Sequence, residues 1–210
     1  MRTAFLFDFD GTITMRDTSE LVLSHFADSN WQVFDEMMDR GEITVEECMK
    51  RQFSLVEVPP ESIINYLEDK VEIRTGFREL AKWLIDTGED IAIVSAGMDF
   101  VIEHQLEKMG LFRRVKIISG KSWYDGHINF EFPEKRNIGA LDFKHDAVLD
   151  FLKKGWNVAY TGDGSSDYNA VRIATFRFPI KGSRLEKMCM NEGIPHISIN
   201  DFIDLKNDIF

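Results

Sequence analysis

An α/β fold, a doubly wound parallel sheet with an inserted helical-bundle cap and a β-hairpin, is predicted by three features of this sequence. Short apolar runs stop abruptly at small or acidic residues, helical patterns separate those runs, and the strand rhythm vanishes between Thr14 and Val71. Ala4-Phe5-Leu6-Phe7, ending in Asp8-Phe9-Asp10-Gly11-Thr12, reads as a buried parallel strand followed by a polar turn. Ile91 to Val94 ends in Ser95-Ala96-Gly97, Val115 to Ile118 in Ser119-Gly120, and Val158 to Thr161 in Gly162-Asp163-Gly164. Helical patterns over 76–87, 98–109 and 144–154 fall between these runs, the arrangement that right-handed crossovers produce.

The interruption carries four helix-like stretches, 18–27, 30–40, 44–53 and 60–69, broken at Asp28-Ser29-Asn30, Gly41 and Pro59-Pro60. Residues 14–70 are therefore expected to form a cap domain on a core of residues 1–13 and 71–210. Trp123 to Phe130 alternates around Asp125-Gly126 and reads as a β-hairpin. Phe26, Trp31, Phe34 and Phe53, with Met37 and Met38, fit a bundle core.

The 210 residues, 44% of them hydrophobic, suffice for one core plus the insert. Thirty-six Asp and Glu against 25 Lys and Arg give a net charge of −11, which argues against nucleic acid or an anionic membrane as partner. No apolar run approaches the roughly 20 residues that span a bilayer, and no basic leader opens the chain. Cys48 and Cys189 match no zinc or redox spacing, so a soluble, cytoplasmic protein, monomer or homodimer, is expected. His25, His104, His127, His145 and His196 show no ligand spacing.

Small and acidic residues at strand carboxyl ends lie where open α/β sheets place ligands. Asp8 ends a buried strand and is suited to in-line attack and metal ligation; Asp10, two residues on, is suited to acid/base work. Gly11 and Thr12 offer backbone N–H groups to an anion. Asp163 can complete the oxygen shell of Mg²⁺, and Asp167, one helical turn on, can orient a neighbour. Ser95 supplies a hydroxyl, Gly97 allows close backbone approach, and Lys144 can neutralise phosphoryl charge. Hydrolysing a phosphate monoester can demand acceleration of up to roughly 10²¹, whereas a single acid or base supplies about 10² to 10⁴, so such groups have to converge.

Asp8-Phe9-Asp10-Gly11-Thr12, Val94-Ser95-Ala96-Gly97, Lys144 and Gly162-Asp163-Gly164-Ser165-Ser166-Asp167 together resemble the four motifs of the haloacid dehalogenase superfamily over nearly the whole chain. The insert after the first motif resembles the phosphoserine phosphatase group. Glu72 to Phe77 and Val94 to Phe100 are similar to the enol-phosphate phosphatase of methionine salvage. The resemblance implies a phosphatase for a small phosphorylated metabolite, with Asp8 as nucleophile and Asp10 as acid/base. It also implies Mg²⁺ on Asp8, Asp163 and the Asp10 carbonyl, and phosphate on the Ser95-Ala96-Gly97 segment and Lys144. Arg16, Asp17, Glu20, Arg51 and Gln52 are the candidates for the substrate side. Asp17 and Gln52 fall where phosphoserine phosphatases carry a glutamate and an arginine. Gln52 is not a cation, and Arg51 points about 100° away on the helix, which argues against phosphoserine. A phosphotransferase or mutase of the same superfamily and a receiver-like phospho-acceptor module are the rival readings.

Overall fold

The computed structural model describes residues 2–27 and 30–209, leaving aside the side chains of 207–209. Asp28 and Ser29, where a helix break was expected, lie outside that range. Strands β1 (Thr3–Phe7), β2 (Asp90–Ser95), β3 (Lys116–Ser119), β6 (Asn157–Gly162) and β7 (Phe176–Pro179) form one parallel sheet in the order β3-β2-β1-β6-β7. β1 is central and covered on both faces, which is why it reads as a continuous apolar run. Phe7 meets Phe77 and Phe202 edge-on, both at 5.6 Å between ring centroids. Each such pair adds about 0.5–1.5 kcal/mol beyond simple burial. Those rings come from α5 (Phe77–Asp86) and α10 (Phe202–Ile209), which pack on one another; α7 (Phe143–Leu152) and α8 (Tyr168–Ile173) form a second packed pair on the sheet.

The register brings three strand ends level. Phe7 pairs with Ile93 on one side and Thr161 on the other, and the Asp8 N–H extends the ladder to the Thr161 carbonyl at 2.9 Å. Asp8, Ser95 and Asp163 therefore emerge from neighbouring strands at the same edge of the sheet.

Between the first strand and α5 lie α1 (Thr18–Phe26), α2 (Gln32–Asp39), α3 (Val45–Phe53) and α4 (Pro60–Leu67). Asp17 caps α1 by accepting the Glu20 N–H at 2.9 Å, Thr44 caps α3 through the Glu47 N–H at 3.3 Å, and Pro60 opens α4, where its missing N–H costs nothing. The chain enters and leaves these helices side by side: Met15 N–H donates to the Glu72 carbonyl and Arg74 N–H to the Ile13 carbonyl, at 2.8 and 2.7 Å. The hairpin, β4 (Lys121–Tyr124) and β5 (Ile128–Glu131), turns at Asp125-Gly126 and packs on α3 through Phe53 and Phe130, 5.3 Å apart. Three elements lie beyond the predicted pattern: β7, whose Phe-Arg-Phe-Pro sequence is a short edge strand, α9 (Arg184–Asn191) and α10. Among the described residues no helix is long and apolar enough to cross a membrane.

Candidate active site

Asp8 is buried, 5% exposed, where β1 ends. Lys144, in the first turn of α7 behind the Asp142 cap, is 1% exposed and spends its ammonium on Asp8 Oδ1 at 2.8 Å, Asp167 Oδ1 at 2.7 Å and Ser166 Oγ at 3.2 Å. Asp167 is saturated: Oδ1 also accepts from the Tyr160 hydroxyl at 2.7 Å, and Oδ2 takes the N–H groups of Asp163 and Gly164, both at 3.1 Å. It is built to hold Lys144 and the loop after β6 in place. Asp163 accepts from the Thr12 hydroxyl at 2.9 Å, which ties the first loop to the last.

Carboxylate oxygens of Asp8, Asp163 and Asp167 lie within 4.8 Å of one another. Three carboxylates share one buried ammonium, and burial together with their mutual repulsion sets the titration behaviour. Burial, then the neighbouring Asp167, pushes Asp8 well above the usual carboxylate range although Lys144 pulls it down. The same two causes bring Asp163 to about 7. For Lys144 burial alone favours the neutral amine, but the Asp167 and Asp8 carboxylates outweigh it and raise its pKa. An all-oxygen donor set with surplus negative charge suits a hard divalent cation.

Asp10 faces a different partner. Its Oδ1 accepts the backbone N–H and hydroxyl of Thr18 at 2.9 and 2.5 Å, so the start of α1 aims it. Burial raises its pKa and the two Thr18 bonds hold the rise back. Gly97 has no room for a Cβ, because Asp10 Oδ2 occupies that space. The Gly97 N–H donates to Ser95 Oγ at 3.0 Å. Gly11, at φ +71°, lets the loop pass against Asp163, where a side chain would collide. The Gly11 N–H, expected to face an anion, is taken by Thr14 Oγ1 at 3.1 Å, and the Thr12 hydroxyl adds a contact to Asp163 that the sequence did not indicate.

Arg74 was missed as a functional residue. Its guanidinium, in a residue 8% exposed, donates to the carbonyls of Thr12 (2.7 Å), Gly11 (2.7 Å) and Asn200 (3.1 Å), locking the loop behind Asp10 from below. The family-like stretch Glu72 to Phe77 contains this arginine, but the sequence does not say whether the side chain is buried or solvated; its reach across the fold does.

Asp8, Asp10, Ser95, Ala96, Gly97, Lys144 and Asp163 line one cavity of about 580 Å³, which α1, α2 and α3 close from above. Of the substrate-side candidates, Asp17, Glu20 and Gln52 line it as well. Arg16 and Arg51 are outside the lining: Arg16 is exposed, and Arg51 pairs with Glu47 at 2.8 Å and lies over the Phe34 ring at 6.0 Å. Gln52 turns inward and donates to Asp35 Oδ1 at 2.9 Å. Trp31 and Phe53 are buried in the core as expected, Trp31 also lining the cavity, and Met38 faces the cavity. None of the described residues lining the cavity is a histidine; His25 stacks on Tyr66 instead, at 4.1 Å.

Residues 5–172 match the family model described as haloacid dehalogenase-like hydrolase. The chain is similar to the 2-hydroxy-3-keto-5-methylthiopentenyl-1-phosphate phosphatase of Brevibacillus brevis, 32% identical over 203 residues, which cover 94% of this chain and 90% of that one. The enzyme of the same name from Bacillus pumilus is 28% identical over 205 residues, covering 95% and 87%. The polyol phosphate phosphatase PYP1 of Saccharomyces cerevisiae is 23% identical over 214 residues, covering 94% and 88%. A solved substrate-bound phosphoserine phosphatase complex superposes with a TM-score of 0.74 at 18% identity, covering 100% and 99%, and shares the fold.

Proposed function

This chain belongs to the haloacid dehalogenase-like hydrolase family and is a phosphomonoesterase, and we propose that it hydrolyses the phosphate monoester of a small metabolite through a phosphorylated Asp8. The observation that carries this reading is the paired setting of two carboxylates on one loop: Asp8 held by Lys144 at 2.8 Å, Asp10 held by Thr18 at 2.9 Å.

A carboxylate oxygen of Asp8 attacks phosphorus in line while the bond to the ester oxygen breaks. Asp10, protonated, gives its proton to the departing alkoxide. Water then attacks the acyl-phosphate; Asp10 takes the water's proton, phosphate leaves and Asp8 is regenerated. The raised pKa of Asp10 supports the acid half of this cycle. Ser95 Oγ accepts from Gly97 and keeps its own O–H free to donate to a phosphoryl oxygen. Lys144 holds the Asp8 carboxylate in place and neutralises phosphoryl charge. Ala96 and Gly97 border the phosphate, and Gly11 and Thr12 hold the loop around it.

The donor set fits Mg²⁺. Asp8, Asp163 and the Asp10 carbonyl would hold the ion, with Asp167 behind them, and it would supply positive charge against the phosphoryl oxygens. Residues 14–70 act as the cap over a core of 1–13 and 71–210, choosing the substrate and excluding water.

The test is turnover of 4-nitrophenyl phosphate with Mg²⁺. Repeated turnover, lost in Asp8→Asn and silenced by EDTA until Mg²⁺ is returned, is expected. Near-normal activity in that variant removes the nucleophile assignment, and full activity in chelator removes the metal. A phosphorylated protein that never turns over would point to a receiver-like module instead.

A further inference from the structure

Two residues in the cap-side wall of the cavity carry a polar atom that the fold leaves unpaired among the described residues. Ser19, in the first turn of α1, is 7% exposed, and its Oγ has no hydrogen-bond partner among the described residues. Asp35 of α2 directs Oδ1 to both Gln52 Nε2, at 2.9 Å, and Cys48 Sγ, at 3.7 Å, which leaves Oδ2 without a partner among the described residues. Both residues line the cavity that contains Asp8 and Asp10. A buried hydroxyl with no partner costs about 1–3 kcal/mol, a cost that a water or a ligand group in the adjoining cavity can relieve.

The surrounding wall limits what that something is. Leu23, Trp31 and Met49 give it an apolar side, and Glu20 and Asp39 add acidic groups, while burial pushes Asp17 up to about 8. Its cations are occupied: Lys144 by Asp8 and Asp167, and Arg184 by Asp39 at 2.8 Å. A carboxylate entering here meets acidic neighbours and no free cation among the described lining residues, so it is repelled. A hydroxyl can donate to Asp35 Oδ2, and a second can pair with Ser19 Oγ.

Resting on the phosphatase reading, we propose that Ser19 and Asp35 are specificity-determining residues that bind hydroxyl groups of the leaving alcohol. The enzyme then acts on monophosphates of short, uncharged polyhydric alcohols in preference to monoesters whose alcohol carries a carboxylate. Gln52 serves this arrangement by fixing one oxygen of Asp35 and leaving the other to the substrate.

The experiment compares kcat/KM for rac-glycerol 1-phosphate and for phosphoserine with Mg²⁺, using the whole chain and its Ser19→Ala, Asp35→Asn and Glu36→Ala variants. 4-nitrophenyl phosphate serves as the general monoester. Wild type is expected to favour glycerol 1-phosphate tenfold or more. Ser19→Ala and Asp35→Asn should each lower that ratio fivefold or more, chiefly through KM, while Glu36→Ala, an exposed neighbour on α2, leaves it alone. Because Ser19 Oγ makes no internal bond, Ser19→Ala should keep or raise Tm; a fall in Tm with an unchanged ratio would assign Ser19 to structure and overturn the proposal. Equal or better use of phosphoserine by wild type, or ratios unmoved in folded Asp35→Asn, also overturns it while 4-nitrophenyl phosphate is still hydrolysed. If wild type hydrolyses none of the three, the phosphatase reading fails and takes this one with it.

Discussion

Asp10 Oδ2 fills the space that a Cβ on Gly97 would need, so the loop after β2 sets the position of the proposed acid/base from the side opposite Thr18. Gly97→Ala should push Asp10 off its line while disturbing little else, since the loop itself is anchored by β2. A fall of about 10² in kcat is expected, the scale of one misplaced acid/base, with Tm nearly unchanged. An unchanged kcat in Gly97→Ala would mean that Asp10 can be displaced without consequence.

Lys144 is the buried cation between Asp8 and Asp167. Lys144→Met would leave two buried carboxylates without their partner, a defect that costs about 3–5 kcal/mol. Urea unfolding of the metal-free protein should show that loss, and activity should fall below detection. A stable, active Lys144→Met protein would contradict the role of the ion pair.

Arg74→Met removes the donor to the carbonyls of Gly11, Thr12 and Asn200. With about 1–3 kcal/mol for each buried group left unpaired, and partial relief by water, a loss of about 3 kcal/mol is expected in urea unfolding. Activity should fall with it, since the same loop carries Asp10. Arg74→Lys restores the charge without the fork and should rescue only part of either.

Asp146 offers a pH test away from the site. Burial alone would raise its pKa, but the N–H groups of Arg136 and Asn137, at 3.1 and 2.8 Å, hold it below the usual carboxylate range. A depressed native pKa means that the unfolded chain binds the proton first. The bond pair therefore stabilises fully above about pH 4, the unfolded value, and the contribution disappears as pH falls through the native pKa. Asp146→Asn should cost about 2 kcal/mol at pH 7, and the gap to wild type should close near pH 2. A gap independent of pH would remove the electrostatic account.

The cysteines should be inert. Cys48 is 2% exposed, and burial, with Asp35 beside it, pushes its thiol up to about 12; Cys189 is fully buried and raised by burial as well. A disulfide reagent at pH 8 should label neither in the native protein and both after unfolding. Rapid native labelling would place a thiol on the surface.

Where a strand stops and a polar residue follows is a local property, and so the sequence by itself determined that Asp8, Ser95 and Asp163 end buried strands and that Gly11 and Gly97 attend them. The insert after the first strand and the hairpin at Asp125-Gly126 were legible for the same reason: periodicity and turn residues act over a few positions. The tertiary structure alone decided the rest. The strand order β3-β2-β1-β6-β7 makes those strand ends neighbours. Arg74 finds the Gly11 and Thr12 carbonyls more than sixty residues back. Gln52 points into the cavity while Arg51 pairs outside it. Ser19 is a buried orphan only because of what packs around it. Such facts depend on which surfaces meet, and a helix or strand pattern states which face is apolar without stating which partner covers it.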